Sequence, residues 1–437
     1  MPPRDKKDHT KNKKGERRKK GHDVVSDDDD DHNNDDGGDA IPSVFTSIIT
    51  TPKTTLTKSI ISNSSDVNDM LISEAAELLL EKRLSQREQA LMTLVKMLSL
   101  GHDLGNYQET ILIQLSRLIR KPSSLTEIDM ATKLIMLFSL WLGADEDAFF
   151  ETFDSLLQKL ITTEGIDENI RVAALSALAF CSFISSIESR ERILTLCEDI
   201  ICDSNNDSSD TLLCFTAIKS WILLASIMPV DIIIDSSKDR IFDAINLLLD
   251  SDDIDVKIAA GTLLAFLYEV VEDNDLCPEG SDMQTIGLQL CEDPNVVSQT
   301  LALIQRVSKE NSKRFSKKDR KDTRLAFRDI EAYIFNGDKP EETIRFQGCV
   351  LEVDTFAKIC LLEQLRFVLG DGFPASPKNF PIIAEILEIK NLNDFNDGDG
   401  DSRQIRKGSS VDKSRSSNRN QDRSYKDLQN SFYEEEG

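Results

Sequence analysis

The chain has 437 residues, of which 40% are hydrophobic and only 6% aromatic, and its formal net charge is −25 at pH 7. This length accommodates one large domain or two ordinary ones, and the shortage of aromatic residues favours packed helices over a β-sandwich. So acidic a chain excludes a uniformly basic nucleic-acid-binding surface. We also expect neither a secretion leader nor a membrane span, because the longest apolar run, 211–230, is interrupted by Lys219.

The first part of the chain, 1–65, is charged or rich in Ser, Thr, Asn and Asp without a sustained hydrophobic period. We predict a disordered basic and acidic head, because such a composition buries too little apolar surface to offset the entropy of ordering. Its clustered cations form a candidate nuclear-import run, with a solvated tail as the alternative. They are Lys11, Lys13, Lys14, Arg17, Arg18, Lys19 and Lys20.

Residues 66–311 contain an internal repeat. The stretches "DENIRVAALSALAF" at 167–180 and "DIDVKIAAGTLLAF" at 253–266 share most of their pattern, and further copies stand halfway between and before them. A period of about 40–47 residues is typical of armadillo and HEAT repeats. The predicted repeat-core alanines, one in each copy, are Ala90, Ala131, Ala174, Ala217 and Ala260.

The repeat predicts an all-α, armadillo/HEAT-like solenoid, because an alanine at a helix crossing lets two axes approach closely. A weaker sixth copy is expected at 295–307. We expect the solenoid to present a concave face to partner proteins. Since the body of the chain is acidic, that face is expected to prefer basic peptides.

A small mixed C-terminal domain is predicted over 312–390, followed by a disordered tail over 391–437. "ETIRF" and "CVLEV" alternate like short strands, and 354–370 has the pattern of a helix with Asp354 as N-cap and Gly370 as its stop. The domain opens with a basic strip that is either a contact for rRNA or an acidic partner, or a solvated linker. The candidate contact residues are Lys313, Arg314, Lys317, Lys318, Arg320, Lys321 and Arg324.

No constellation of catalytic, cofactor-binding or metal-ligating residues stands out. Three of the four histidines lie in the head, and the common nucleotide-binding and hydrolase motifs are absent from the sequence. The eight cysteines form no CxxC pair and have no neighbouring His, so the spacing does not indicate a zinc site. We therefore expect a protein without catalytic residues, cofactor, metal or small-molecule substrate.

The order of these features resembles the interferon-related developmental regulator family. "LEKRLSQREQALMTLVKML" is similar to the start of its helical-repeat domain, and "KDRKDTRLAFRDIEAYIFNGDKPEETIRF" with "LEVDTFAKICLLEQLRFVLGDGF" to its short C-terminal domain. The resemblance implies a non-enzymatic adaptor associated with transcriptional co-regulation, and at least one member is a ribosome-binding translational inhibitor. Such members carry a Lys/Arg/Ala-rich C-terminal helix, whereas this chain has Gly, Ser and Asn around 403–426.

Two hypotheses of function follow. The first is a transcriptional co-regulator that binds regulatory or chromatin-associated proteins, and the alternative is a ribosome-binding regulator that inhibits translation through contact with rRNA. Under either hypothesis we expect the protein to be present in both the nucleus and the cytoplasm and not to associate with a membrane.

Overall fold

The computed structural model describes residues 65–143, 147–185, 187–203, 210–278, 280–309, 317–346 and 349–389. The predicted disordered head and tail lie outside these residues, apart from Ser65 where α1 begins, so both remain predictions.

Helices provide nearly all the regular structure of this part of the chain. In chain order the α-helices are α1 (Ser65–Leu78), α2 (Leu84–Ser99), α3 (Gln108–Arg120), α4 (Leu125–Leu142), α5 (Asp147–Thr162), α6 (Glu168–Ile184), α7 (Ile187–Asp203), α8 (Thr211–Ala225), α9 (Val230–Ser236), α10 (Phe242–Leu249), α11 (Ile254–Asp273), α12 (Met283–Leu290), α13 (Pro294–Ser308), α14 (Lys317–Asn336), α15 (Phe356–Leu369), α16 (Ser376–Asn379) and α17 (Pro381–Ile386). Short 3-10 helices cover Gly105–Tyr107 and Gly370–Ala375, and a π-helical turn, Ser237–Ile241, joins α9 to α10.

Twelve of the first fourteen helices pack in two layers. Helices α2, α4, α6, α8, α11 and α14 stack one on the next and form an inner layer, while α1, α3, α5, α7, α10 and α13 back them as an outer layer. Each pair leaves an apolar face that only the next pair covers, which is the packing of a helical-repeat solenoid. The predicted all-α solenoid is confirmed.

The repeated alanines are fully buried in the inner helices. Their side chains are all 0% exposed, and each belongs to a different inner helix: Ala90 to α2, Ala131 to α4, Ala174 to α6, Ala217 to α8 and Ala260 to α11. A side chain no larger than a methyl group allows neighbouring helix axes to approach at about 8–10 Å. The period of the sequence is therefore the period of close helix contacts.

The starts of the inner helices follow the same period. Ser124, Asp167, Asp210 and Asp253 are the N-cap residues of α4, α6, α8 and α11, and each stands 43 residues after the one before. The side chains of Ser124, Asp167 and Asp253 accept hydrogen bonds from backbone N–H groups of their own first turn, as N-caps do. The exception is Asp210, which instead accepts a hydrogen bond from Arg171 Nη1 at 2.6 Å. The repeat thus fixes where these four inner helices begin.

The sixth pair differs from the prediction. The expected sixth copy, 295–307, forms α13 of the outer layer, where Thr300 Oγ1 donates to Asn246 of α10 at 2.7 Å. The sixth inner helix is instead α14, whose Phe327 and Ile330 pack on α11 at Gly261. The helix that starts at Lys317 therefore continues the solenoid, although the sequence assigned it to a separate C-terminal domain. The missing Cβ of Gly261 lets α14 approach α11 this closely.

After α14 the chain forms a hairpin and a helix, as the sequence predicts. Strands β1 (Glu342–Arg345) and β2 (Val350–Val353) pair antiparallel, with Thr343 opposite Glu352. Helix α15 ends at Gly370, which has a φ of 49° that favours glycine. The predicted N-cap was wrong by one residue, because the side chain of Thr355 accepts from the backbone N–H of Lys358, whereas Asp354 pairs with the Lys358 ammonium at 2.7 Å.

Candidate protein-interaction surface

The C-terminal segment, defined here as residues 342–389, covers the inner face of the solenoid. We use "inner face" for the side of the inner helices that is turned away from the outer layer. On α8 the indole of Trp221 donates to Glu198 of the outer helix α7 at 3.0 Å, while Lys219 pairs with Glu363 of α15. Two residues along a helix correspond to about 200° of rotation, so α15 and α7 lie on opposite sides of α8. Helix α15 also contacts α4 and α11.

One end of α15 is held by a carboxylate of the inner face. Glu269 of α11, only 3% exposed, accepts hydrogen bonds from the backbone N–H groups of Phe356 at 3.0 Å and Ala357 at 3.3 Å. These N–H groups belong to the first turn of α15 and have no partner within the helix. Glu269 therefore acts as a helix cap supplied by another helix, placed at the positive end of the α15 dipole.

The middle of α15 is held by a buried ion pair. Lys219 Nζ of α8 contacts Glu363 Oε2, and the two side chains are only 8% and 12% exposed. Burial raises the pKa of Glu363, and the neighbouring Lys219 ammonium opposes that rise. The ammonium also lies 5.3 Å from the centre of the Phe215 ring. A charge in this position is tolerated because its partner is supplied by the C-terminal segment.

The other end of α15 meets a second buried lysine. Lys133 of α4 is 9% exposed and lies 4.9 Å from the centre of the Phe367 ring, a cation–π geometry. Burial lowers the pKa of Lys133, and the carboxylates of Asp129 and Asp371 counteract this effect. Lys133 and Lys219 each stand two residues after a repeat alanine, so they occupy equivalent positions of two repeats.

Beyond α15 the segment continues onto the first repeat and back to α4. Gly372 packs directly against the carbonyl group of Ser99 at the end of α2. Asn379 Nδ2 donates to the carbonyl oxygen of Leu100 at 2.9 Å, and the Phe380 ring meets Trp141 edge-on with centroids 6.2 Å apart. The cover thus extends from α11 across α8 and α4 to α2.

This arrangement corrects the expectation of a concave face that is presented to partner proteins and prefers basic peptides. The inner face is occupied by the chain's own C-terminal segment, and beneath α15 it presents Lys133 and Lys219 as well as Glu269. The physical reason is the apolar face of α15, in which Cys360, Leu365 and Val368 are at most 2% exposed. That face requires an apolar surface, and the inner helices provide one.

The basic strip belongs to the last inner helix. Lys317, Lys318, Arg320, Lys321 and Arg324 stand in the first turns of α14, in one continuous helix with the packed Phe327 and Ile330. From Lys317 onward the strip is helical, and its contact with rRNA or an acidic partner stays a prediction. Lys313 and Arg314 lie outside the described residues, as does the whole candidate import run from Lys11 to Lys20.

The described residues add no candidate for chemistry. Among them, no group of three or more His, Cys, Asp or Glu side chains is arranged to hold a metal ion. His102, the one histidine in this part of the chain, stands just after α2, with its ring 3.4 Å from Asn68 Nδ2. Nor does any helix of the described ranges combine the length and apolar character that crossing a membrane requires.

Sequence reasoning missed the residues that hold the C-terminal segment. Lys133, Lys219 and Glu269 are ionisable residues within the buried stretches of three inner helices. A buried charge needs a partner, so each of these positions already indicated a contact from outside its own helix pair. The interruption of the run 211–230 by Lys219 was the visible signal, but the identity of the partner depends on tertiary contacts.

The packing of α15 on α11 through Glu269 is expected to become less stable as the pH rises. Burial raises the pKa of Glu269 to about 7, although two backbone N–H groups and Lys339 oppose the rise and Asp273 adds to it. The neighbouring titratable groups also include Tyr333 of α14, its partner Glu272, and Cys360 of α15. Because the folded state holds this proton more tightly than the unfolded chain, the contribution of Glu269 is largest at low pH and declines through about pH 7.

Urea unfolding of the wild type and of Glu269→Gln at several pH values measures this effect. We expect the wild type to lose about 2 kcal/mol relative to the variant between about pH 5 and about pH 8, since glutamine accepts the same hydrogen bonds but does not ionise. A stability difference that is constant across this range would contradict the titration of Glu269.

Comparison with protein families yields one match over most of the chain. The family model described as "Interferon-related developmental regulator (IFRD)" matches residues 46–335. The human protein "Interferon-related developmental regulator 1" is 23% identical over 272 residues, which cover 58% of this chain and 56% of that protein. The mouse protein "Interferon-related developmental regulator 2" is 24% identical over 267 residues, covering 58% and 57%. The chain thus spans little more than half the length of these relatives. The C-terminal segment lies beyond the residues that the family model matches.

Solved structures with a similar arrangement of helices are helical-repeat proteins of low sequence identity. A designed armadillo repeat protein is 15% identical with a TM-score of 0.33, covering 60% of this chain and 99% of the design. A crystal structure of a Kap121p mutant is 15% identical with a TM-score of 0.34, covering 77% of this chain and 39% of that one.

Proposed function

Because the chain belongs to the interferon-related developmental regulator family, we propose that it is a regulatory adaptor of gene expression that acts as a transcriptional co-regulator. Family and fold together support a regulatory role through protein interaction. The finer assignment is that the solenoid binds regulatory or chromatin-associated proteins in the nucleus. Family members and armadillo scaffolds are typically non-catalytic, and the adaptor role needs no cofactor.

The observation that carries this proposal is the two-layered repeat itself. A solenoid exposes a long series of regularly spaced helices, and each repeat adds contact surface without changing its neighbours. Among the described residues, the outer layer displays exposed apolar side chains such as Ile113 and Leu247, which are 45% and 58% exposed. Such an array is suited to holding several proteins together.

Localisation and partner capture test the transcriptional role. We expect the tagged full chain to be found in nuclear and cytoplasmic fractions and to co-purify with chromatin-modifying proteins. Replacing the lysines and arginines of the run 11–20 by glutamine is expected to abolish the nuclear fraction, because import receptors recognise clustered cations. The control replaces the same number of cations in 403–426. A chain absent from the nucleus, or one whose nuclear form captures no chromatin-associated protein, would contradict the proposal.

The alternative is a ribosome-binding regulator that inhibits translation. It is favoured by the concentration of cations in the first turns of α14, which contrasts with the acidic body of the chain. A cationic helix end of this kind binds the phosphate backbone of rRNA through charge, and such binding weakens as salt rises.

Co-sedimentation with ribosomes in sucrose gradients distinguishes the two functions. The ribosomal role predicts co-sedimentation at low salt, release at high salt, and loss when Lys317, Lys318, Arg320, Lys321 and Arg324 are replaced by glutamine. The matched control replaces five exposed lysines elsewhere, Lys82, Lys121, Lys238, Lys309 and Lys378. If the chain does not sediment with ribosomes at low salt, the alternative is wrong and the transcriptional role remains.

A further inference from the structure

The contacts of α15 with the solenoid resemble those by which a groove binds an amphipathic helix. We propose that the inner face is a helix-binding surface that the C-terminal segment occupies in cis, and that it receives an acidic amphipathic helix of a partner protein when this segment is released. The inference rests on the proposed role as a protein-interaction adaptor and specifies its surface and its class of partner.

The first argument is the spacing of the polar contacts along α15. Phe356, whose N–H is bound by Glu269, and Glu363, which is bound by Lys219, are seven residues apart. Seven residues correspond to two helical turns and about 10 Å of rise. Neighbouring packed helices such as α11 and α8 are separated by about 8–10 Å. A bound helix therefore meets a polar group of α11 at its start and a polar group of α8 two turns later.

The second argument is the kind of group at each position. Glu269 binds free N–H groups at a helix start, which any helix offers regardless of its side chains. Lys219 selects a carboxylate two turns later, and Lys133 binds an aromatic ring one further turn along, at Phe367, with Asp371 close by. Together these positions define a helix with an apolar face, an acidic residue in its middle and an aromatic residue near its end.

The third argument is that the inner face carries ionisable side chains beside its apolar surface. The residues that hold α15 are ionisable, and water solvates a lysine or glutamate that loses its partner. A face made only of Leu and Ile would have to remain covered. When the C-terminal segment is released, Lys133, Lys219 and Glu269 therefore form hydrogen bonds with water in place of α15. A helix from another protein can then take the place of α15 at these three side chains.

A synthetic peptide carrying residues 354–371 serves as the probe. Two full-chain variants are designed to release the C-terminal segment by charge repulsion. In Glu363→Lys two lysines face each other, and Lys219 stays available for a carboxylate of the peptide. In Lys219→Glu two glutamates face each other, and the inner face carries a negative charge at this position. We expect the wild-type peptide to bind the Glu363→Lys chain, and a peptide with the same Glu363→Lys exchange to bind the Lys219→Glu chain. Each mismatched combination is expected to bind about tenfold more weakly or less, because it juxtaposes like charges.

The matched control is Glu352→Lys, the same exchange at an exposed position of β2. This chain is expected to keep its own segment bound and to take up the peptide no better than the wild type. If neither uncovered chain binds a peptide, or if both bind the two peptides equally, the inner face is not a helix-selective surface and the proposal is wrong.

Hydrogen exchange on the wild-type chain tests release without any substitution. We expect the amides of α15 to exchange through an opening that leaves α6 and α8 protected, since a releasable cover opens separately from the body beneath it. Exchange of α15 and α8 in one common event would overturn release. These measurements use purified protein, so they can fail while the tests of nuclear localisation and partner capture succeed, and the reverse.

Discussion

Replacing Lys219 by Met is expected to lower the free energy of unfolding by about 3–5 kcal/mol, because it leaves the Glu363 carboxylate without its buried partner. The two side chains are 8% and 12% exposed, so water reaches the remaining charge poorly. The pKa of Glu363, already raised by burial, is expected to rise further in the variant. Because a proton then neutralises the carboxylate, the loss should be smaller at low pH than at neutral pH. Urea unfolding followed by circular dichroism measures both effects.

Two controls separate the cost of breaking this pair from the value of the pair itself. The double variant Lys219→Met/Glu363→Leu is expected to recover most of the loss, since an apolar pair of similar volume needs no charge compensation. At the exposed pair Arg306–Asp250, whose side chains are 58% and 70% exposed at a distance of 2.6 Å, Arg306→Met is expected to cost at most about 1 kcal/mol. Equal losses for Lys219→Met and Arg306→Met would show that burial does not determine the effect.

Gly372→Ala is expected to detach the 3-10 helix Gly370–Ala375 from the end of α2. A Cβ at this position would overlap the carbonyl group of Ser99, and a backbone atom cannot move aside as a flexible side chain does. We expect a loss of about 3 kcal/mol or more, at the upper end of what overpacking costs. The emission of Trp141, whose ring packs on Phe380, should shift to the red when this end of the segment detaches. The chain has two tryptophans, so the measurement is made in a Trp221→Phe background, in which Trp141 is the remaining source of indole emission.

The matched control for this substitution is Gly261→Ala in α11. A Cβ there would lie 3.0 Å from Ile330 Cδ1 and from a ring carbon of Phe327, both of which belong to side chains. An alanine within a helix gains about 1 kcal/mol over glycine, which offsets part of the crowding. We therefore expect a net change within about 1 kcal/mol and unchanged Trp141 emission. A Gly372→Ala protein as stable as the wild type would contradict the close approach at Ser99.

The repeat could be predicted because it is local. A small residue at each crossing, an apolar run around it and a cap before it recur with the same period, and neighbouring repeats need only each other. This local pattern sufficed to locate Ala90, Ala131, Ala174, Ala217 and Ala260 in five different inner helices. The period itself indicated a solenoid before any contact was known.

The sixth pair could not be assigned in the same way. Both α13 and α14 have an amphipathic pattern, so periodicity alone does not say which of them joins the inner layer. The assignment is visible only in tertiary contacts: Phe327 and Ile330 of α14 pack at Gly261, and Thr300 of α13 donates to Asn246. These contacts join residues more than fifty positions apart, and no local rule contains them.

The same difference between local patterns and long-range contacts applies to the candidate interaction surface. The amphipathic helix before Gly370 was evident in the sequence, as was the odd placement of Lys219 in an apolar run. What the helix covers was not evident, because an apolar face specifies that it must be buried and does not specify where. The expectation of a concave face presented to partner proteins failed for this reason.

The amino-acid order alone therefore determined that the chain forms stacked helix pairs, where most inner helices begin, and that α15 has a face to bury. The tertiary structure alone decided that this face lies on the inner layer and that Glu363, Phe356 and Phe367 meet Lys219, Glu269 and Lys133. Local patterns fix secondary structure and stacking because their partners are adjacent repeats. Long-range docking depends on which complementary surfaces meet, and only the folded chain brings together residues 144 positions apart, such as Lys219 and Glu363.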